Sequence, residues 1–443
     1  MSHSKPQLEL KNSKVNCNIQ KSILCCCGIV LATYTQALAQ GLGNSPYSAL
    51  GIGELYSSGY APNNATGDAG VSSANGFYIN SLNPALLVRN RFTTFDVGLI
   101  GRYKVIANQT QSQKEFAGNL GYIALSFPVS AKWSSGLSLK PLSFVNYTQN
   151  GYGRVGTTIY EAQYKYIGKG GLNTVNFTNG FKIGKSLNLG IETSFVFGGI
   201  TKESESQLKI GDGRDYIFSR LDRINVSDLM LKLGAAWQQE LKKDTYFNFG
   251  ATYDFKNQLA GKRANTFEIQ TPSRQPVTNP DTLLSSGNLG LTLPSSFRVG
   301  ISYEKFLNLL VSLDYQHQNW SQFANSGKGA ESSVVYQDQS AYHFGIEYMP
   351  RYNSTKYFDL IWYRAGLSYV KTPYIIGGRS IDDLSISFGL GLPVGRNYVN
   401  LINLSVVAGQ RGGITDKTFR EQYAKIVLGV SLKDNWFQKF KVD

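Results

Sequence analysis

The chain has 443 residues and a formal net charge of +14, and its 44 lysines and arginines are spread along the sequence rather than gathered in a dense run. This scattered excess argues against nucleic-acid binding and favours contact with anionic lipid headgroups. All four cysteines precede Gly28. A mature chain that begins after them can hold no disulfide, no thiolate nucleophile and no cysteine–metal site.

Residues 1–39 have the pattern of a secretory signal peptide. Lys11, Lys14 and Lys21 precede an apolar run over residues 23–32, and Ala37-Leu38-Ala39 then supplies a small-x-small cleavage site. We place the mature start at Gln40. A lipoprotein signal is the alternative, because three cysteines lie within the run, but the apolar stretch before them is short. No other stretch approaches the ~20 apolar residues that a membrane helix needs.

Residues 40–91 differ in composition from the rest of the chain. They are rich in Gly, Ser, Asn and Ala and show no sustained alternation of apolar and polar residues. This composition predicts a compact, irregular N-terminal segment.

From about Phe92 to Lys433 the sequence alternates with period 2. In the stretch 309–316, Leu309, Leu313 and Tyr315 point one way while Ser312 and Asp314 point the other. Alternation of this kind predicts an all-β protein, a fourteen-stranded antiparallel transmembrane β-barrel with an apolar outer face and a polar interior. The predicted strands lie near 92–106, 118–129, 133–147, 170–184, 186–200, 223–239, 244–258, 294–304, 308–320, 341–350, 358–371, 383–393, 398–410 and 420–434.

The connections between these strands alternate between short and long. Those around Ser130, Lys185, Lys242, Phe306, Asn353 and Gly395 are short. Those near 107–117, 148–169, 201–222, 259–293, 321–340, 372–382 and 411–419 are mostly longer and more polar. Short periplasmic turns and long external loops produce this rhythm. It predicts the outer membrane of a Gram-negative cell, with the N- and C-termini periplasmic. A soluble β-sandwich is the alternative, and residues 154–166 leave room for an extra hairpin arm.

Four of the five tryptophans fall near predicted strand ends: Trp133, Trp237, Trp320 and Trp436. We expect them to form interfacial aromatic belts. Ordinary core tryptophans are the alternative.

Several charged residues point inward by the parity of their strands. The functional interpretation is a polar channel or contact with a carboxylate ligand. The alternative is mutual pairing that fixes the barrel and the segment inside it. We favour pairing, because opposite charges that face a narrow lumen pair readily. The residues are Glu192, Asp228, Lys232, Asp254, Asp314, Glu347 and Lys425.

Other motifs in the sequence give little support for a catalytic, nucleotide or metal site. Residues 151–156 match G-x-G-x-x-G but lie in a predicted loop with no helix after them. Residues 211–215 lack the full ligand pattern of a calcium loop. His317 and His343, the only histidines of the mature chain, are weak candidates for a metal pair. No G-x-S-x-G motif is present. We expect no catalytic residues, no metal and no cofactor, and a protein that is not an enzyme.

Three stretches together resemble the FadL-type family of outer-membrane long-chain fatty acid transporters. Asn83-Pro84-Ala85 resembles the element in that family's N-terminal hatch. Leu293-Pro294 precedes a strand as in the family, and Asp314 and Trp320 match its Asp-strand-Trp-Ser pattern. The closing strand and the residues after it are similar to FadL-like barrels of Bacteroidota.

The resemblance implies residues 1–39 as signal peptide, 40–91 as a hatch that plugs the lumen, and 92–443 as the barrel. It implies uptake of hydrophobic small molecules such as long-chain fatty acids, with a hydrophobic ligand and outer-membrane lipid as partners. The alternative is a FadL-like barrel that does not transport and serves as a subunit or shuttle of an outer-membrane assembly or protein-secretion complex. Its partners would be other outer-membrane or secretion proteins. Neither interpretation involves nucleic acid.

Overall fold

The computed structural model describes residues 43–57, 59–73, 75–154, 160–209, 215–277, 282–323, 334–395, 399–415 and 418–434. The predicted signal peptide, Trp436 and residues 211–214 lie outside these ranges.

Twenty strands make up most of the described chain. They are β1 (Glu54–Leu55), β2 (Thr93–Ala107), β3 (Ser112–Ser130), β4 (Trp133–Arg154), β5 (Glu161–Ile183), β6 (Leu187–Lys209), β7 (Ile217–Lys242), β8 (Thr245–Asp254), β9 (Asn257–Leu259), β10 (Gly261–Gln270), β11 (Thr282–Asn288), β12 (Leu291–Leu293), β13 (Ser296–Lys305), β14 (Leu309–Gln318), β15 (Val334–Tyr336), β16 (Gln339–Tyr348), β17 (Trp362–Ile376), β18 (Arg379–Val394), β19 (Asn400–Arg411) and β20 (Arg420–Asp434).

Fourteen of these strands form a closed antiparallel barrel: β2 to β8, β13, β14 and β16 to β20. Closure comes from β20, which pairs with β2 from Thr93↔Asp434 to Ala107↔Arg420. The predicted fold class and strand number are confirmed.

Helical structure is short. The described ranges contain one α-helix, α1 (Ala61–Ala65), and four 3₁₀ turns: Pro46–Ala49, Pro84–Arg89, Trp320–Gln322 and Tyr357–Leu360. Over the residues described, no helix is long and apolar enough to cross a membrane.

The two faces of the barrel wall differ as the alternation predicts. On β14, Leu313 is exposed on the outer face, whereas Ser312 and Asp314 are buried inside. Exposed outward side chains elsewhere include Phe177 and Phe388. A closed barrel with an apolar outer face and a polar interior is the architecture of an outer-membrane protein.

The connections at one end of the barrel are short, as expected. The short connections there are 131–132, 184–186, 243–244, 306–308 and 395–399. The short connection expected around Asn353 is wrong, because residues 349–361 form a connection of thirteen residues that includes a 3₁₀ turn. We call this the short-connection end. Thr93 and Asp434 pair there, so the barrel strands begin and finish on the same side.

At the opposite end, which we call the long-connection end, the predicted long loops are partly wrong. Residues 112–117 belong to β3, and residues 372–376 and 379–382 belong to β17 and β18. Residues 148–154 and 161–169 continue β4 and β5, and residues 201–209 and 217–222 continue β6 and β7. β7 reaches 26 residues, although ~9–11 suffice to span a bilayer. β10 and β11 add to β7 on this side. The barrel therefore has a tall wall over β4–β7, beyond the membrane-spanning part.

The tryptophans divide into two groups. Trp133 and Trp237 are 39% and 40% exposed near the short-connection end, as interfacial residues would be. Trp320 is 1% exposed and packs against Phe323 and Tyr336, so its assignment to an aromatic belt is wrong. It lies in a 3₁₀ turn after β14, and this turn directs the ring inward.

Residues 43–91, which we call the N-terminal segment, contact the inward faces of the barrel strands. Inward glycines permit the approach: a Cβ at Gly190 would collide with the backbone of Pro84 and Ala85, and a Cβ at Gly250 with that of Val71. The segment begins at the long-connection end, where a Cβ added at Gly43 would lie 3.4 Å from that of Glu115 on β3. A periplasmic N-terminus stays a prediction for the residues before Gly43.

Candidate functional site

The barrel wall is discontinuous between β3 and β4. Their ladder runs only from Ser130↔Trp133 to Ile123↔Leu139. Beyond that point the only barrel strand that pairs with β3 is β2, and the only barrel strand that pairs with β4 is β5, although both β3 and β4 are described throughout. We call this unpaired part of the β3–β4 boundary, which lies toward the long-connection end, the wall gap.

Local sequence explains why the strands part. Gly121 is an extra residue of β3, because the register against β2 shifts between Gly98↔Tyr122 and Leu99↔Leu120. β4 shifts against β5 just after Pro141. Bulges bend the strand that carries them, and proline has no N–H to donate to a ladder. Both irregularities lie within two residues of the last Ile123↔Leu139 pair.

The N-terminal segment occupies the free edge of β4. β1 pairs with it at Glu54↔Phe144 and Leu55↔Ser143, and the backbone N–H of Tyr56 donates to the carbonyl of Leu142 at 3.0 Å. The Tyr56 ring packs edge-on against that of Phe144, with centroids 5.7 Å apart.

Residues 44–48 continue this contact toward the long-connection end. The N–H of Ser45 donates to the carbonyl of Asn146 at 2.9 Å, and the N–H of Asn146 donates to Ser48 Oγ at 3.1 Å. The N–H of Thr148 donates to Asn44 Oδ1 at 3.2 Å. Backbone groups that a neighbouring strand would satisfy are satisfied by the segment instead.

Glu54 anchors the segment through buried charges. Its carboxylate lies 2.5 Å from Arg102, 3.5 Å from Lys104 and 3.0 Å from Arg411. Burial alone would raise the pKa of Glu54, but the charges of Arg102, Arg411 and Lys104 outweigh it and hold that pKa well below its usual value.

Two further carboxylates balance these cations. Glu421 lies 2.9 Å from Lys104, and Asp383 lies 2.9 Å from Arg411. Ser45 Oγ donates to Glu421 at 3.0 Å. With three cations and three anions, the cluster joins the N-terminal segment to β2, β18, β19 and β20.

The predicted hatch motif lies within the lumen. Asn83 donates its amide hydrogens to the carbonyls of Val71 at 2.8 Å and Ala235 at 3.0 Å, and its Oδ1 accepts from the N–H of Ala85 at 3.0 Å. Pro84 begins the 3₁₀ turn after it, a position where a missing N–H is harmless.

The predicted strand motifs also face the interior. Asp314 accepts from the N–H groups of Gly70 and Val71, both at 2.9 Å, and pairs with Arg298 at 2.9 Å. Leu293, Pro294 and Trp320 line the main cavity instead.

That cavity has a volume of about 350 Å³ and lies inside the barrel, where Asn64 and Asp68 of the N-terminal segment form part of its lining. Lys232 lies in its lining, 3.8 Å from Glu192 and 3.3 Å from Asp254. The cavity extends to the wall gap, because Tyr56, Lys140 and Pro141 line it as well. Its surface is mixed in polarity, with charged side chains among apolar ones.

The remaining predicted charges have separate contacts. Glu347 pairs with Arg364 at 2.6 Å and accepts from Asn75 at 2.7 Å. Lys425 donates to Asn64. Asp228 accepts from Asn257 and from the backbone N–H of Ala260 at the foot of β10, so it is not grouped with the others.

Sequence reasoning missed the cations of the interior: Arg102, Lys104, Arg298, Arg364 and Arg411. The alternation held a signal for at least four of them. Arg102 and Lys104 share the face opposite Leu99, Arg298 lies on the face opposite Phe297, and Arg364 lies on the face opposite Tyr363. No comparable signal marked Glu54, which lies in a segment without alternation.

The structure brings no metal site together within the described ranges. His343 points inward and bonds to the carbonyl of Gly67 at 2.8 Å. His317 has the outward parity of Leu313 and contacts Ser340 and Asn319. The two rings lie on opposite faces of the wall.

The sequence model of the BamG family matches residues 19–443. The chain belongs to the BamG family. No curated protein matches it.

Solved structures share the fold of this BamG-family chain at low identity. The toluene transporter TbuX of Ralstonia pickettii is 17% identical, with 85% of this chain and 99% of that chain covered and a TM-score of 0.54. The toluene transporter TodX of P. putida is 15% identical, with 87% and 100% covered and a TM-score of 0.55. A Pseudomonas aeruginosa FadL homologue is 13% identical, with 85% and 98% covered and a TM-score of 0.54. The chain therefore has the fold of FadL-type barrels.

Proposed function

We propose that this protein admits hydrophobic small molecules, such as long-chain fatty acids, through the wall gap into the barrel interior. A small cavity lies at the wall gap, and it shares Tyr56 and Pro141 with the lining of the main cavity. This continuity between the gap and the main cavity is the observation that carries the proposal. A gap that opens sideways lets an apolar molecule pass between membrane and lumen without crossing the polar mouth of the barrel. The fold shared with toluene transporters supports this reading.

The N-terminal segment acts as the movable hatch in this proposal. Residues 44–57 would leave the β4 edge while residues 61–91 stay fixed by their deeper contacts. Lys140 lies on the path, since it lines both the main cavity and the small cavity at the gap. Among the described residues it has no ion pair within 4.0 Å, so it is available to the carboxylate of a fatty acid.

A reversible cross-link tests the proposal. Leu55→Cys with Ser143→Cys joins two directly paired residues of β1 and β4, and all native cysteines precede Gly28. In a deletion strain, wild type should restore uptake of oleic acid and toluene. The oxidised double variant should not, and a reductant should restore it.

The matched control is Ile386→Cys with Ala408→Cys, a directly paired couple in the continuous wall. Its oxidation should leave uptake unchanged. A deletion strain that takes up both compounds normally would contradict the transport proposal itself. Normal uptake by the oxidised L55C/S143C protein would contradict only the route through the wall gap.

A second candidate function is a non-transporting subunit or shuttle in an outer-membrane assembly or protein-secretion complex. It is favoured by the interior, where buried ion pairs tie the N-terminal segment to the barrel and charged side chains line the cavity. Such an interior suits a closed structural barrel better than a channel for apolar compounds. Membership of the BamG family is compatible with this role.

Gentle purification from native membranes separates the two functions. A stoichiometric set of protein partners, with unchanged uptake in the deletion strain, would support the complex. A lone barrel with a lipid-like molecule in its cavity would support transport.

A further inference from the structure

A groove lies on the lipid-facing surface, outside the lumen and away from the wall gap. It has a volume of about 530 Å³, within the ~300–1,000 Å³ typical of ligand pockets. Its lining is almost wholly apolar and comes from four adjacent strands, β16 to β19, with Tyr348, Tyr363, Ala365, Phe388, Leu404 and Val406.

One small side chain creates the groove. Ala365 lies in a cross-strand row between Ile346 and Phe388, and Phe388 pairs in turn with Val406. Larger residues surround it on every side, so the methyl group of Ala365 forms the floor. Because this face of the barrel contacts the hydrocarbon of the bilayer, the natural occupant of the groove is an acyl chain.

The connection 349–361 lies directly beneath the groove. The hydroxyl of Tyr363, which lines the groove, donates to the carbonyl of Phe358 at 3.2 Å. The connection is held by its own bonds: the N–H of Arg351 donates to the carbonyl of Asp359 at 3.0 Å, and Ser354 Oγ donates to the Asp359 carboxylate at 2.6 Å.

This connection differs from the others at the short-connection end in length and composition. It has thirteen residues, against two to five elsewhere. Phe358 is 73% exposed and Tyr352 55% exposed, as suits side chains that enter a membrane interface. Arg351 and Lys356 are exposed, and neither has an ion pair within 4.0 Å among the residues that the structure describes.

We propose that the groove and the connection 349–361 form a binding site for one anionic phospholipid. An acyl chain fills the groove over Ala365, and the lipid phosphate is bound by Arg351 and Lys356. The aromatic side chains between them lie at the level of the glycerol backbone. The site is independent of uptake and of the wall gap.

Native mass spectrometry of the full-length protein in detergent, with phosphatidylglycerol or phosphatidylcholine added, tests the proposal. Wild type should retain phosphatidylglycerol preferentially. Ala365→Phe should abolish retention by filling the groove. Arg351→Gln with Lys356→Gln should weaken phosphatidylglycerol binding roughly 25-fold, because each basic side chain near an anionic headgroup contributes about fivefold, or ~1 kcal/mol.

Matched controls separate the site from general effects. Ala408→Phe adds the same bulk to another lipid-facing alanine outside the groove, and Lys132→Gln with Lys185→Gln removes two cations from other short connections. Both should bind lipid like wild type. Undiminished retention by Ala365→Phe would overturn the proposal, as would equal retention of the two lipids. It would also be overturned if the variants instead released a co-purifying protein, which would mark the face as a protein interface.

Discussion

The barrel wall is closed in one way between β18 and β19 and in another way between β3 and β4. The first is closed by twelve consecutive residue pairs, from Asp383↔Arg411 to Val394↔Asn400. The second has seven pairs, and the rest of the β4 edge is covered by the N-terminal segment. A continuous ladder can open only by breaking the barrel. A wall completed by a separate segment can open by moving that segment, provided that its anchors release.

The largest expected effect on the anchoring of residues 44–57 comes from a substitution at Glu54. Glu54→Gln leaves Arg102, Lys104 and Arg411 without one of their three balancing charges, and loss of one partner from a buried ion pair costs about 3–5 kcal/mol. We expect residues 44–57 to leave the β4 edge while the β18–β19 wall stays intact. Hydrogen exchange of the Tyr56 and Asn146 amides should rise sharply.

Glu240→Gln is the control, since Glu240 is exposed on β7 and has no ion pair within 4.0 Å in the described chain. It should exchange like wild type. Unchanged protection of Tyr56 in Glu54→Gln would show that the charges around Glu54 do not hold the segment.

Acid should act on the same anchor with a defined sign. The pKa of Glu54 is held well below its usual value of 4.5, so the stabilisation by the ionised carboxylate is complete above about pH 4.5. It is lost as the pH falls through the lower, folded-state pKa. We expect the segment to stay protected from pH 8 to about pH 5 and to be released only in stronger acid. Protease accessibility of residues 44–57 against pH measures this, and release beginning near pH 6 would exclude Glu54 as its cause.

Tyr56→Ala should have a smaller effect. It removes one ring contact with Phe144, worth about 0.5–1.5 kcal/mol beyond the area buried, while the backbone bond to Leu142 remains. We expect faster entry of a hydrophobic fluorescent dye into cells. Tyr342→Ala, which removes an outward ring packed on Tyr315 of the continuous wall, should not change dye entry.

The smallest expected effect is at Ser48. Ser48→Ala removes a hydroxyl that accepts from the N–H of Asn146 and donates to its carbonyl at 2.9 Å, a loss of about 0.5–1.5 kcal/mol. Exchange of the Asn146 amide should rise severalfold while that of Tyr56 is unchanged. A rise at both amides would show that residues 44–57 move as one unit.

Much of the barrel could be predicted because one physical constraint governs every strand. Lipid outside and water inside force an alternation with period 2, and this fixed the strand number and the inward parity of Glu192, Lys232 and Glu347. The constraint ends where the membrane ends. In residues 203–207, Glu-Ser-Glu-Ser-Gln, both faces of β6 are polar, so the pattern gave no sign that the strand continued.

The alternation of apolar and polar residues could not predict the wall gap or the ion pairs that anchor residues 44–57. Gly121 and Pro141 were visible, but each is compatible with an ordinary bulge, and only the pairing of both strands with other partners shows a gap. Trp320 illustrates a second limit. A tryptophan at a strand end has the same sequence pattern whether a turn directs it toward lipid or into the lumen.

The contact between Ser45 and Glu421 joins residues 376 positions apart in sequence. Ser45 is among the first described residues to leave the ribosome, yet its partner lies on the strand that closes the barrel. This contact can therefore form only when both ends of the described chain are present, so the anchoring of the early segment depends on the placement of β20. Contacts of such long range make folding slow. The residues that are made first are thus held by a strand that is made last.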